Sequence, residues 1–307
     1  MNAANRCKDP LFFIPDPWTK TSVKASPTLN KVYRAVVELV NENAQQEASR
    51  GAVMGLLPGL LRYARPINYL YYLSIAAASV KESWRRAMAL DLLLSDIFIA
   101  EVARTRPDYA TLFLNAAAHI QHHYMFDSSV YDGNQSNPDW YCSKNSDPLL
   151  EIYRLYDRLV GQIRRRFDQH RIVIATGLHQ DPYPRELFYW RLKDHAQFLD
   201  RLEIAYDRVE PRMSRDFVVF CANSRAAREA QLKLEKATAD DGVPLFEIDN
   251  RGDSLFVMLV YPNNICPDMG YGIGNRRFHR LHDEVAFVAI KNGEHNGIGY
   301  LVDTGQL

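Results

Sequence analysis

Nine histidines are the side chains of this 307-residue chain best suited to chemistry near neutral pH, because imidazole ligates metals and exchanges protons there. Three of them, His119, His122 and His123, fall within five residues, in HIQHHY, closely behind an apolar run, Tyr109 to Leu114 (YATLFL). His179 follows a second run, Arg171 to Thr176 (RIVIAT), and His295 follows a third, Val285 to Ile290 (VAFVAI). If HIQHHY is helical, His119 shares a face with His122 and His123, three and four positions on. Any one such histidine could simply satisfy a backbone carbonyl. Three separate runs each delivering histidine to one edge point instead to a site, since ligands of open α/β sheets bind beyond the carboxyl ends of the strands. His170, His195, His279 and His282 stand in polar or helix-end contexts and read as surface residues.

The elements that must position these groups are legible as patterns. Continuous apolar runs bounded by turn residues read as strands buried on both faces. Their alternation with amphipathic stretches predicts an α/β fold with a mostly parallel sheet flanked by helices. Residues 27 to 105 form an expected helical section packed on that sheet, opened by Ser26 and Pro27 as N-cap and first helical residue, with Val32, Val36, Val37 and Val40 as its stripe. Its longest helices fall at Ile67 to Val80 and Glu82 to Arg104, and the spacing of Asp91, Asp96 and Glu101 marks the second as a helix with one wet face. Pro148 opens another helix. Further helices are expected near Asp194 to Leu202 and Ala226 to Ala237, with a strand at Phe217 to Cys221. A late β-hairpin joins Leu245 to Ile248 and Ser254 to Tyr261 through Asp249-Asn-Arg-Gly252. No composition break marks a linker, so 1–307 reads as a single α/β domain.

Composition narrows the function classes. Lys+Arg and Asp+Glu both number 37, so no overall field gathers nucleic acid or anionic lipid. The apolar and charged fractions, 47% and 24%, are those of a globular domain. Cys7, Cys142, Cys221 and Cys266 lie too far apart for a thiolate zinc site or a disulfide framework and read as reduced thiols. Ile67 to Val80 is too short to span a bilayer, and MNAANRCKDPLFF holds no apolar run of signal-peptide length. The expectation is a cytoplasmic protein with no nucleic-acid partner and no membrane span. Gly270, Gly272 and Gly274 precede no helical pattern and make no dinucleotide fingerprint, and there is no GxxxxGK[ST] or GxSxG. Leu187 to Trp190 reads as core, and Arg164 to Arg166 as a solvated helix end.

The order Pro107-Asp108, apolar strand, Asn115, then HIQHHY resembles the metal-ligand segment of the alkaline phosphatase superfamily, in particular its type I phosphodiesterase and nucleotide pyrophosphatase branch. His122, preceded by Gln121, matches that branch's ligating histidine, while Ala118 stands where the partner Asp is usual. GEHNGIGYLVDTG is similar to the closing motif, with His295 matching a third ligand of the same ion. ATGLHQDPY stands where Asp-His-Gly is usual, which leaves His179 one or two positions late. The resemblance implies a divalent metal, zinc or manganese, in a reduced site. His122 and His295 are its ligands, with a third donor from Asn115, His119 or His179; we assign Asn115 as the ligand and His119 and His179 as catalytic groups. It further implies that the nitrogens of His122 and His295 stand about 3 to 4 Å apart, with His119 or Asn115 nearby and His179 at the rim.

The function so implied is metal-assisted hydrolysis or transfer of a small-molecule or glycan phosphate or sulfate ester. A catalytically inactive binding or accessory protein of the same fold is the alternative, as is a fragment of a longer phosphodiesterase.

Overall fold

Ser26 and Pro27 open the first helix, α1 (Pro27–Glu42), with the Leu29 amide donating to Ser26 Oγ at 3.3 Å. Its buried side chains, Leu29, Val32, Ala35 and Val36, lie on one stripe. They meet α2 (Arg50–Tyr63) where two glycines permit close approach. A Cβ on Gly59 would stand 2.3 Å from Val32 Cγ2, and one on Gly55 2.8 Å from the Ala35 Cβ. Three further helices follow, α3 (Tyr69–Ala78), α4 (Arg85–Thr105) and α5 (Ala116–Tyr124). The next, α6 (Pro148–Arg166), begins on an Asp147 side chain that accepts from the Leu150 amide at 3.0 Å, with Pro148 in the first turn. Two short strands succeed it, β1 (Val173–Ala175) and β2 (His179–Pro182).

The structure, a computed structural model, describes residues 9–15, 23–42, 50–212 and 214–306. The chain divides into two compact units, the first running as far as Pro184 and again from Asn292 onward, the second comprising Arg185–Lys291. In the first unit the apolar faces of residues 27 to 105 find helical partners. Met88 and Leu92 of α4 share a core with Ile120 of α5 and Ile152, Leu155 and Leu159 of α6. Leu93 and Ile97 meet Leu29 and Val32 of α1. The expected packing on a sheet is therefore replaced by helix-on-helix packing.

The wet face expected on α4 is also absent: Asp91, Asp96 and Glu101 are all buried. Each is hydrogen-bonded, as buried carboxylates must be. Asp96 accepts from the Arg65 amide (3.0 Å), Asn68 Nδ2 (2.8 Å) and Tyr72 Oη (3.0 Å), and Glu101 from Tyr63 Oη (3.0 Å). The three stand five residues apart, so successive carboxylates turn about 140° around the helix instead of lining one face, and each finds amide or side-chain donors in the interior.

The second unit is built from antiparallel strands. It holds β3 (Phe188–Leu192), α7 (His195–Arg201), β4 (Arg208–Pro211), β5 (Asp216–Phe220), α8 (Ser224–Leu234) and β6 (Ala237–Ala239). Then come β7 (Phe246–Asn250), β8 (Ser254–Leu259), β9 (Tyr271–Ile273), β10 (Arg276–Phe278), the short α9 (Leu281–Glu284) and β11 (Val285–Ile290). The largest sheet has four strands in the order β4-β5-β8-β7. Its β7–β8 hairpin lies where the sequence predicts it, and the turn holds Gly252 at φ +96°, a conformation that favours glycine. Alternate residues of β8, namely Leu255, Val257 and Leu259, are buried, the period of two expected of a strand with one covered face. The chain re-enters the first unit as β12 (Gly293–Asn296) and β13 (Leu301–Asp303).

The mostly parallel central sheet is not found. The described strands form five small sheets of two to four strands, all paired antiparallel. Tyr109 to Leu114 forms no strand among the described residues. Its exposure nonetheless alternates: Tyr109, Thr111 and Phe113 face outward, while Ala110 and Leu114 pack on helical clusters. RIVIAT contributes β1, exposed and paired with β13; VAFVAI is β11, paired with β3 in the second unit. An apolar run records that a segment seeks cover; it does not record which strand, or which helix, supplies it.

Candidate functional site

The last turn of α5 carries His122 and His123, and its first turn is held by a carboxylate. The buried Asp91 of α4 accepts from the backbone amides of Asn115 (3.1 Å) and Ala116 (2.8 Å) and from Tyr156 Oη (2.6 Å). A negative group at a helix N-terminus satisfies amides that lack a partner within the helix. Burial nevertheless raises the Asp91 carboxyl to about 6, against the lowering effect of those donors. The other end of α5 is fixed by Asn292. Its backbone amide donates to His122 O at 2.6 Å, and its side-chain oxygen accepts from the Phe126 amide (3.0 Å) and Asn137 Nδ2 (2.8 Å).

Asn292 leads into β12, which lies antiparallel to β2 with His295 opposite Gln180 and Asn296 opposite His179. Cross-strand partners share a face and successive residues alternate. The Gln180–His295 face is turned to α5: Gln180 Nε2 donates to Ala118 O at 3.0 Å. Gly293 lies on the same face, and a Cβ there would stand 2.7 Å from both Gln121 O and Gln180 Oε1. Glycine is what lets the strand rest against the helix.

This contact brings His122 and His295 together. Their Nε2 atoms are 2.8 Å apart and their ring centroids 4.6 Å apart. His122 Nδ1 faces Gly293 O at 3.1 Å. A carbonyl only accepts, so Nδ1 of His122 carries the hydrogen, its Nε2 offers a lone pair, and in the neutral pair His295 donates from Nε2. A backbone carbonyl holding one ring nitrogen so that the other is presented outward is the usual support of a metal-ligating histidine. A separation of 2.8 Å is that of a hydrogen bond. Two nitrogens on one tetrahedral zinc stand about 3.3 Å apart, so a cation would replace the shared hydrogen with a small opening of the rings.

The other predicted residues are placed differently. His119 lies one turn before His122 and sets its ring against His123, centroids 5.0 Å apart. Close packing pushes its imidazole down to about 4, and the neighbouring His122 adds to the shift, which keeps the ring neutral at pH 7. Asn115 is exposed at the start of α5. Seven residues at 1.5 Å each put it roughly 10 Å along the axis from His122, too far to share an ion with it. His179 stands on the opposite face of the β2–β12 pair. Both its nitrogens already meet oxygens, Ile298 O at 2.9 Å and Asp181 Oδ1 at 3.1 Å, so it presents nothing toward His122. Among the described residues no group of three or more His, Cys, Asp or Glu side chains is arranged to hold a metal ion.

Sequence reading passed over Gln180, Gly293 and Asn292, which build the junction. Asn292-Gly293 is a dipeptide that ordinarily signals a turn; here it enters a strand. Gln180 Oε1 is buried without a hydrogen-bond partner among the described residues, while its amide nitrogen is tied to α5. No family model, curated protein or solved structure matches the chain.

Proposed function

We propose that this chain binds a divalent metal, zinc or manganese, between His122 and His295, and acts as a metal-assisted hydrolase or transferase on phosphate or sulfate esters. The observation that carries the reading is the convergence of the two Nε2 atoms, one of them aimed by Gly293 O. Imidazole suits zinc, but two histidines are one protein donor short of the usual catalytic zinc set, so an ester oxygen or water would have to complete the coordination. A bound divalent cation polarises a phosphoryl or sulfuryl oxygen and lowers the pKa of attached water. The protein's own part is then orientation. Gly293 O fixes the His122 ring, Asn292 fixes the end of its helix, and β2 holds the strand that carries His295. The motif resemblance makes His119, one turn before His122 and held neutral by its packing, a catalytic group. The ester class comes from the motif resemblance, and we place the protein's work in the cytoplasm.

A second reading is favoured by the shortage of donors: a catalytically inactive binding or accessory protein that holds metal and ester without turning the ester over. Metal titration and a chromogenic assay separate the two. The first reading expects one equivalent of zinc or manganese bound by the purified chain, lost in both His122→Ala and His295→Ala, with metal-dependent release of nitrophenol from nitrophenyl phosphate or sulfate. Stoichiometric metal without turnover selects the accessory protein. If neither metal binds, or both variants bind it undiminished, both readings fail.

A further inference from the structure

The helix α3, YLYYLSIAAA, carries no charged residue and is apolar all round. Such a helix belongs in a core or a bilayer, yet only Ile75 is fully buried, with Tyr71 and Tyr72 packed partly against the cores beneath. Leu70 and Leu73 are 83% and 67% exposed. Exposed apolar side chains also flank α3 in the sequence, with Leu61 of α2 at 80%, Val80 at 83%, and Met54, Ile67 and Tyr69 exposed.

Along the sequence of this stretch the charge is of one sign. From Gly51 to Lys81 the sequence holds Arg62, Arg65 and Lys81 and no Asp or Glu, although the whole chain balances to zero. Arg62 and Lys81 are exposed and form no ion pair among the described residues. The nearby carboxylates are engaged by other groups: Asp96 is buried against Arg65, Asn68 and Tyr72, Glu82 and Glu151 are paired with Arg85, and Asp139, exposed beside Ala78 and Lys81, is paired with Lys144. Leucines and tyrosine flanked by unpaired cations are what recognises the interface of a membrane with negatively charged headgroups. Ten residues of helix reach about 15 Å, half the hydrocarbon thickness of roughly 30 Å, and no helix among the described residues is long and apolar enough to cross. The geometry points to a surface formed by α3, the end of α2 and Val80 that docks flat on an anionic phospholipid bilayer, with Leu61, Leu70 and Leu73 entering the acyl boundary and Arg62 and Lys81 meeting the headgroups.

Sedimentation of the intact chain with lipid vesicles tests this. Binding is expected to vesicles of phosphatidylglycerol and phosphatidylcholine, weakly or not at all to pure phosphatidylcholine, and to fall as salt rises. The exposed double variants Leu70→Glu/Leu73→Glu and Arg62→Glu/Lys81→Glu should each weaken it about tenfold or more while the circular dichroism spectrum is unchanged. If the leucine pair does perturb the fold, the single change Leu70→Gln carries the same expectation at smaller size. Absence of binding to the anionic vesicles overturns the proposal, as does undiminished binding by the folded leucine variant. A wild-type chain that ignores vesicles but self-associates, and becomes monomeric on Leu70→Glu/Leu73→Glu, assigns the surface to a second copy instead.

Discussion

His122 Nε2 and His295 Nε2 meet at 2.8 Å across a helix–strand junction, although 173 residues separate them in sequence. The Gly293 carbonyl at His122 Nδ1 decides the direction of the bond. In metal-free protein at neutral pH, nitrogen-15 spectra of the two rings should show His122 with its hydrogen on Nδ1 and His295 with its hydrogen on Nε2. Zinc should abolish the His295 Nε2–H signal and leave that of His122 Nδ1. The opposite tautomer for His122 would remove the support on which the proposed metal site rests.

His295 is exposed, so its loss should cost little packing. His295→Ala is expected to shift stability within about 0.5 kcal/mol while abolishing metal binding. Thermal unfolding and metal titration of the same preparation check both halves. A large fall in stability would mark the pair as a structural tie between strand and helix.

Gly293→Ala should act at a distance from either ring nitrogen. The added methyl would sit 2.7 Å from Gln121 O and from Gln180 Oε1. The amide of Gln180 can swing, but the helix carbonyl cannot, so β12 must move off α5 and carry His295 with it. We expect a loss of about 1–3 kcal/mol, typical of an overpacked contact, with metal affinity falling together with stability. Retained affinity in a destabilised variant would show that the two histidines find each other without the glycine.

What the sequence makes legible here is local. The helix at Pro27, the helix opened by Pro148 and the hairpin around Gly252 each depend on neighbours a few residues away, and each is found. The parallel sheet depended on long-range pairing that composition does not encode, and it is replaced by antiparallel pairs and helix packing. The proximity of His122 and His295 was expected from a common sheet edge. It arises instead from β12 lying on α5, through Gly293 and Asn292, after VAFVAI has ended in the other unit. Strand alternation, invisible without the β2–β12 register, is what sends His179 to the far face.

Asp91 gives the first unit a pH dependence of definite sign. Its carboxyl stands at about 6 when folded, against 3.8 without the fold, because burial outweighs its hydrogen bonds. The folded state therefore holds the proton more tightly. The contribution is fully present below about pH 4 and is lost as pH rises through 6, on the order of 3 kcal/mol for a shift of about two units. Asp91→Asn cannot ionise and should flatten the stability profile between pH 4 and 6. At pH 7 it keeps an oxygen for the Asn115 and Ala116 amides. A profile unchanged by this substitution would show that another group governs that window.

His195 should give the second unit the opposite behaviour in an overlapping range. Its place after Asp194 at a helix start suggests a surface residue, but the first turn of α7 carries it inward. Its ring is buried edge-on against Phe217, centroids 4.9 Å apart, and Nε2 has no partner among the described residues. Burial, aided by the charge of Arg191, pushes the imidazole down to about 4 from 6.5, so the unfolded chain binds the proton more tightly. The stability this neutral ring confers is complete above about pH 6.5 and drains away as pH falls toward 4. His195→Phe replaces the ring with one that needs no proton and fills a similar space, so it should leave stability near neutrality within about 1.5 kcal/mol and reduce the acid loss. Hydrogen exchange at the amides of β5 and α7, followed from pH 7 to 4.5, reads the second unit separately from Asp91. Wild-type amides there should lose protection, after correction for the intrinsic pH dependence of exchange, and His195→Phe should retain it. Equal loss in both proteins would mean that His195 is not the group through which acid opens this unit.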